Sequence, residues 1–156
     1  MRIKFSHIKE DRVKMVDISR KSDVERKAIA SGRIYLKPST VKAIEEGKVE
    51  KGNVLAIARV AAIMAVKRTP ELIPLCHPLQ ITSVDVSFKI AKRSIEVKVE
   101  VKSLGKTGVE MEALTGATTA LLAIWDMVKS AEKDKTGNYP TTRISEVKVI
   151  EKIKGE

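Results

Sequence analysis

The segment Ser83-Val84-Asp85-Val86-Ser87-Phe88-Lys89-Ile90-Ala91-Lys92-Arg93-Ser94-Ile95-Glu96-Val97-Lys98-Val99-Glu100-Val101 sets the architecture of this chain. Val84, Val86, Phe88 and Ile90 alternate with polar residues, and so do Ile95, Val97, Val99 and Val101. A period of two places every apolar side chain on one face of an extended strand. With Ala91-Lys92-Arg93 between the runs, the segment predicts an antiparallel hairpin with one apolar and one polar face. Such a hairpin needs cover on one side only.

The cover is found on either side of it. Upstream, Ala28, Ala30, Gly32, Ile34 and Leu36 alternate with their neighbours and predict a strand over Arg26 to Leu36, stopped by Pro38-Ser39. Ser39 then suits the N-cap of a short helix over Thr40 to Glu46, and Gly47 suits its end. Val54, Ile57, Ala58, Ala61, Ala62 and Ala65 recur at helical spacing, predicting a second helix from about Gly52 to Arg68 with Pro70 as its limit. Pro74 and Pro78 make 72–79 a rigid loop. Downstream, Leu104 to Gly108 is a loop, and 109–133 a long helix burying Leu114, Ala117, Leu121, Ile124 and Val128. A final strand is expected over about Arg143 to Ile153. Residues through about Arg20 show no period and are expected to form a partly ordered arm. The order of elements predicts an α+β fold: a ferredoxin-like antiparallel sheet packed on one side by helices.

At 156 residues and 43% hydrophobic content, one domain is expected over 1–156. No apolar run approaches the roughly 20 residues of a membrane helix. The start, Met1-Arg2-Ile3-Lys4-Phe5-Ser6-His7, lacks the apolar core of a secretory signal. The single cysteine, Cys76, permits no internal disulfide. A cytoplasmic protein is expected. The net charge of +10 favours anionic partners. Two Phe, two Tyr and one Trp are few for stacking bases, so a small phosphorylated molecule is favoured over a nucleic-acid strand.

Several places can carry chemistry. His77, held between Pro74 and Pro78, can bind phosphate or move a proton, or can simply cap its loop. Cys76 beside it reads as packing, since no feature near it lowers a thiol pKa. Gly105-Lys106-Thr107-Gly108 precedes a helix and can cradle an anion, although it is not a Walker A loop. The Glu110-Met111-Glu112 that follows either complements the helix dipole or grips the N–H edge of a purine or pterin. Asp126, Lys129 and Lys133 are three and four residues apart. They form either a solvated charged face or an acid/base pair, in which partial burial would bring a lysine pKa toward neutrality. Lys51 and Lys67-Arg68 flank the alanine-rich helix and carry the same two readings.

Taken in order, Val16-Asp17-Ile18-Ser19, Lys51-Gly52, Ala65-Val66-Lys67-Arg68-Thr69, Leu72 to Leu79, Gly105 to Thr115 and Trp125-Asp126-Met127-Val128-Lys129 resemble the signature blocks of the MoaC family. The resemblance spans nearly the whole chain. It implies an enzyme of molybdenum-cofactor biosynthesis, a phosphorus-oxygen lyase converting a cyclic dihydroguanosine triphosphate into cyclic pyranopterin monophosphate and pyrophosphate. Matched block by block, it implies Asp126, Lys129 and Lys51 as catalytic residues. Leu75, Cys76, His77, Met111, Glu112 and Glu110 fall at substrate-binding positions, and Lys67, Arg68 and Lys106 on the phosphates. Asp17, Arg20 and Arg26 are further binding positions. It also implies a ferredoxin-like subunit in a homohexamer, a trimer of dimers with active sites at the dimer interface. No resident metal or cofactor is expected, with Mg²⁺ accompanying the triphosphate, and neither nucleic acid nor membrane is expected as partner. One departure stands out: where many members carry Gly-Gly-Lys-Ser-Gly, this chain reads Lys152-Ile153-Lys154-Gly155-Glu156. A basic RNA-binding module and a nucleotide-sensing domain are the rival classes.

Overall fold

The hairpin forms as expected, and tighter. In the computed structural model, which describes residues 8–9 and 12–156, β4 (Ile81–Ala91) and β5 (Ser94–Gly105) pair antiparallel, with Ala91 opposite Ser94 and only Lys92-Arg93 turning between them. On the inner side of β5, Ile95, Val97, Val99 and Val101 are all fully buried, so the alternating residues of the sequence are the sheet's core layer. β3 (Val24–Tyr35) lies against β5, and β6 (Arg143–Lys154) lies on the other side of β3, both antiparallel. The four-stranded order is β4-β5-β3-β6. With helices between β3 and β4 and between β5 and β6 forming one layer on the sheet, this is the ferredoxin-like arrangement.

The helices α1 (Pro38–Glu45), α2 (Val54–Leu72) and α3 (Glu110–Glu132) supply that layer. α2 and α3 approach closely because small residues face one another. Ala58 and Ala62 on α2, and Ala113, Ala117 and Ala120 on α3, are fully buried. A side chain on Gly116 would meet Val66 at 2.9 Å and Val99 at 3.2 Å, so only glycine lets α3 lie this near both α2 and the sheet. The opposite sheet face is polar. There Lys27 bridges Glu100 and Glu151, and Arg33 reaches Glu96 at 2.7 Å.

Three local expectations are corrected. α1 begins with Pro38 at its first position and Lys37 as N-cap, so Ser39 is not the cap; the fixed φ of proline suits a first helical residue. α2 runs through Pro70 to Leu72, because a proline this near the end forfeits only one late backbone bond. Lys133 leaves the helix as an extended C-cap. Gly47 does end α1 in the left-handed region, at φ 65°. Of the N-terminal arm, residues 1–7, 10 and 11 lie outside the described residues; β1 (Ile8–Lys9) pairs with β2 (Arg12–Val13). Among the described residues no helix is long and apolar enough to cross a membrane.

Candidate active site

α3 carries a cluster at each end. At its C-terminal end Asp126 and Lys129, three residues apart and so on one face, join Lys129 Nζ to Asp126 Oδ1 at 2.7 Å. From the loop after α1, Lys51 Nζ donates to the Asp126 carbonyl at 2.8 Å and stands 3.8 Å from its carboxylate Oδ2. The Lys129 hydrogen bond, then the Lys129 and Lys51 charges, hold the Asp126 carboxyl below the usual carboxylate range. The same hydrogen bond raises Lys129 above the usual lysine value. The expectation of a lysine drawn toward neutrality is therefore corrected. Both groups are exposed, 44% for Lys129 and 63% for Asp126, so pairing outweighs desolvation. This end of α3 also bounds a cavity of about 310 Å³ shared with α1 and the Lys48-to-Lys51 loop.

The N-terminal end holds the larger set. A cavity of about 360 Å³ is lined by Leu75, Cys76, His77, Thr107, Gly108, Glu110, Met111 and Glu112, and by Val16, Ile18 and Lys21. The His77 loop is set by a turn in which the Cys76 N–H donates to the Ile73 carbonyl. Glu112 is 2% exposed, and burial followed by the Glu110 charge pushes its carboxyl above the ordinary value. Burial, and then Glu112, likewise raises the Cys76 thiol, in keeping with a thiol that packs rather than attacks. Glu110 lies over Gly108 and pairs with Lys152 of β6, so the anion-cradle position before α3 faces the chain's own carboxylate.

The remaining positions are not among the residues that line this second cavity. Lys106 Nζ donates to the Ser19 carbonyl at 3.1 Å, fastening the segment 16–21 to the loop before α3, and Arg26 of β3 donates to the Gly105 and Lys106 carbonyls. Asp17 accepts from the Ser19 N–H at 2.9 Å; its hydrogen bonds from Ser19, and then the Lys14 and His77 charges, lower its pKa. Lys67, Arg68 and Arg20 are exposed. Since Gly116 packs on Val66, Lys67 and Arg68 stand level with the N-terminal half of α3.

The two cavities share no lining residue. Glu112 and Asp126 are fourteen positions apart on one straight element, about 21 Å along its axis. Within one chain the His77 and Asp126 groups therefore do not meet. Sequence reasoning missed Lys152 and Lys21. Lys152 lies opposite Ala28 in the sheet and reaches Glu110 only because β6 runs along β3. Its own stretch of sequence carries no signal of that contact.

Comparison with known proteins bears on the same residues. The model of the MoaC family matches residues 15–155, from the strip over the His77 cavity to the end of β6. A protein of Methanococcoides burtonii named as a probable cyclic pyranopterin monophosphate synthase is 66% identical over 150 residues, 96% of this chain and 94% of its own. Proteins of the same name from Pyrococcus horikoshii and Archaeoglobus fulgidus are 64% and 58% identical, covering 96% and 98% of this chain and 94% and 98% of their own. A match running from the segment over one cavity, through both ends of α3, to the last strand leaves one conclusion: this chain belongs to the MoaC family.

Proposed function

We propose that this chain is a cyclic pyranopterin monophosphate synthase acting in molybdenum-cofactor biosynthesis in the cytoplasm. Its substrate is the cyclic dihydroguanosine triphosphate and its products are the cyclic monophosphate and pyrophosphate. The observation that carries the reading is the Lys51–Asp126–Lys129 cluster, an ionised carboxylate between two ammonium groups on a rigid helix. In the final step a sugar hydroxyl attacks the α-phosphorus, forming one P–O bond as the bond to pyrophosphate breaks. Asp126 accepts a hydrogen bond from the attacking hydroxyl, orients it and takes its proton as the new P–O bond forms; an ammonium group gives a proton to the departing pyrophosphate, and both ammonium groups screen the charge that develops on it. Lys67, Arg68 and Lys106 neutralise the phosphates, so the reaction takes no resident cofactor and Mg²⁺ travels with the triphosphate.

The pterin end of the substrate occupies the His77 cavity. Glu110 and Glu112 accept its guanidine-like N–H groups, beside Leu75, Cys76 and Met111. Because that cavity and the Asp126 cluster lie at opposite ends of α3, one complete site takes its two halves from two chains. The assembly is a homohexamer, a trimer of dimers, with sites at the dimer interface. Exposed Ile57, Val60 and Met64 on α2, and Val149, Ile150 and Ile153 on β6, supply apolar surface for such contacts. The aromatics give an RNA-binding reading little support: Tyr35 lies under Arg143, whose guanidinium is 3.9 Å from its ring centre, and Phe88 lies under Arg59.

Incubation with the cyclic triphosphate should release pyrophosphate and generate the pterin chromophore. Asp126→Asn and Lys129→Met should abolish release while triphosphate binding survives. Binding without turnover by the unmodified protein would favour the nucleotide sensor instead.

A further inference from the structure

Glu132, the last residue of α3, is a fully buried carboxylate whose partners come from two distant segments. Both its oxygens accept from the backbone N–H of Lys37, at 3.1 and 3.3 Å. Thr40 Oγ1 donates to one oxygen and Thr142 Oγ1 to the other, each at 2.5 Å. Lys37 is the N-cap of α1 and offers no side-chain cap of its own, so a carboxylate from another helix fills that place. The contact is returned. Lys37 Nζ donates to the carbonyls of Ala131 at 2.8 Å and Lys133 at 3.4 Å, groups that the end of α3 would otherwise leave unpaired. The start of α1 and the end of α3 thus cap one another.

We propose that Glu132 is a positioning residue for the Lys51–Asp126–Lys129 cluster, and this rests on the reading of that cluster as catalytic. α1 is two turns long and leads through Gly47 into the loop that carries Lys51, which Gly52 then closes, both glycines being at positive φ. A two-turn helix that buries Thr40, Val41 and Ile44 depends for its direction also on how its ends are held. Glu132 fixes its first turn to α3, six residues beyond Asp126, so that Lys51 arrives at the Asp126 carbonyl. Thr40, held by Glu132, is also a wall of the cavity that contains Lys51. Lys51 is therefore placed from α3 on both sides, by Asp126 directly and by Glu132 through α1.

The test uses the full chain and follows pyrophosphate release, triphosphate affinity and thermal melting for Glu132→Ala, Glu132→Gln, Thr40→Val and Asp126→Asn. In Glu132→Ala, held well below its melting temperature, kcat should fall about 10- to 100-fold while affinity for the triphosphate changes less than about threefold. Gln keeps the shape and can pair with the same donors, since a threonine hydroxyl also accepts. It should restore most of the lost kcat, which separates geometry from charge. Thr40→Val frees one hydrogen bond and should fold even if Glu132→Ala does not, with kcat reduced in the same direction. Full kcat in folded Glu132→Ala or in Thr40→Val, beside an inactive Asp126→Asn, overturns the positioning role alone. Retained turnover in Asp126→Asn overturns the reading of the cluster on which it rests.

Discussion

Two carboxylates on the same helix are pushed in opposite directions. Asp126, exposed between ammonium groups, is held ionised below its usual range; Glu112, buried beside Glu110, is held toward its neutral form. Removing the Lys129 ammonium takes away the first cause of the Asp126 depression. Lys129→Met should therefore move the Asp126 titration to higher pH, read from its carboxyl carbon by NMR, with melting temperature nearly unchanged because the pair is exposed. For Glu112 the sign reverses. A folded pKa above the unfolded one means the folded state binds more protons in the interval between them, so stability falls as pH rises through it. Glu112→Gln mimics the protonated form. It should melt with the parent near pH 4 and roughly 2–4 °C above it at pH 8, while weakening substrate binding.

At the scale of elements, the seam between α2 and α3 matters most, because α3 carries both clusters and α2 sets its height over the sheet. Gly116 lies where Val66, Val99 and the Ala62 carbonyl converge. Gly116→Val should cost about 3 kcal/mol in thermal or denaturant unfolding, since two β-branched neighbours and a backbone carbonyl have little room to yield. α1 is the opposite case. It is two turns long, buries Thr40, Val41 and Ile44, and is steered by its ends, which is why the reciprocal caps at Lys37 and Glu132 decide where Lys51 lies.

The whole molecule presents a division of labour that one chain does not close. His77 and Glu112 face one cavity, Lys51, which holds the Asp126 carbonyl, borders another, and α3 spans the distance between. If each site draws on two chains, two inactive proteins can repair one another. Co-expressed His77→Ala and Asp126→Asn chains should regain about a quarter of full activity, since about half the dimers are mixed and each mixed dimer has one intact site. No recovery above either variant alone would place both halves of the site in one chain.

Whatever depends on neighbours along the chain was legible in the order of the amino acids. The period of two from Val84 to Val101 is a backbone property, and so is the left-handed turn at Gly47. The Asp126–Lys129 pair is equally local, a matter of three residues on a helix. Lys51 beside a helix and His77 between prolines were open to two readings each from the residues; it was the resemblance of whole blocks that gave them roles. Ser39 and Pro70 misled because caps and helix ends depend on what else reaches them, here Glu132 at one and a nearly finished helix at the other. It took the folded chain to show that Glu132 caps a helix 95 residues away, that Lys152 reaches Glu110, and that the two clusters stand at opposite ends of α3. The reason is physical: periodicity is fixed by local backbone geometry, whereas the meeting of distant side chains is fixed by how the packed layers bring their ends together.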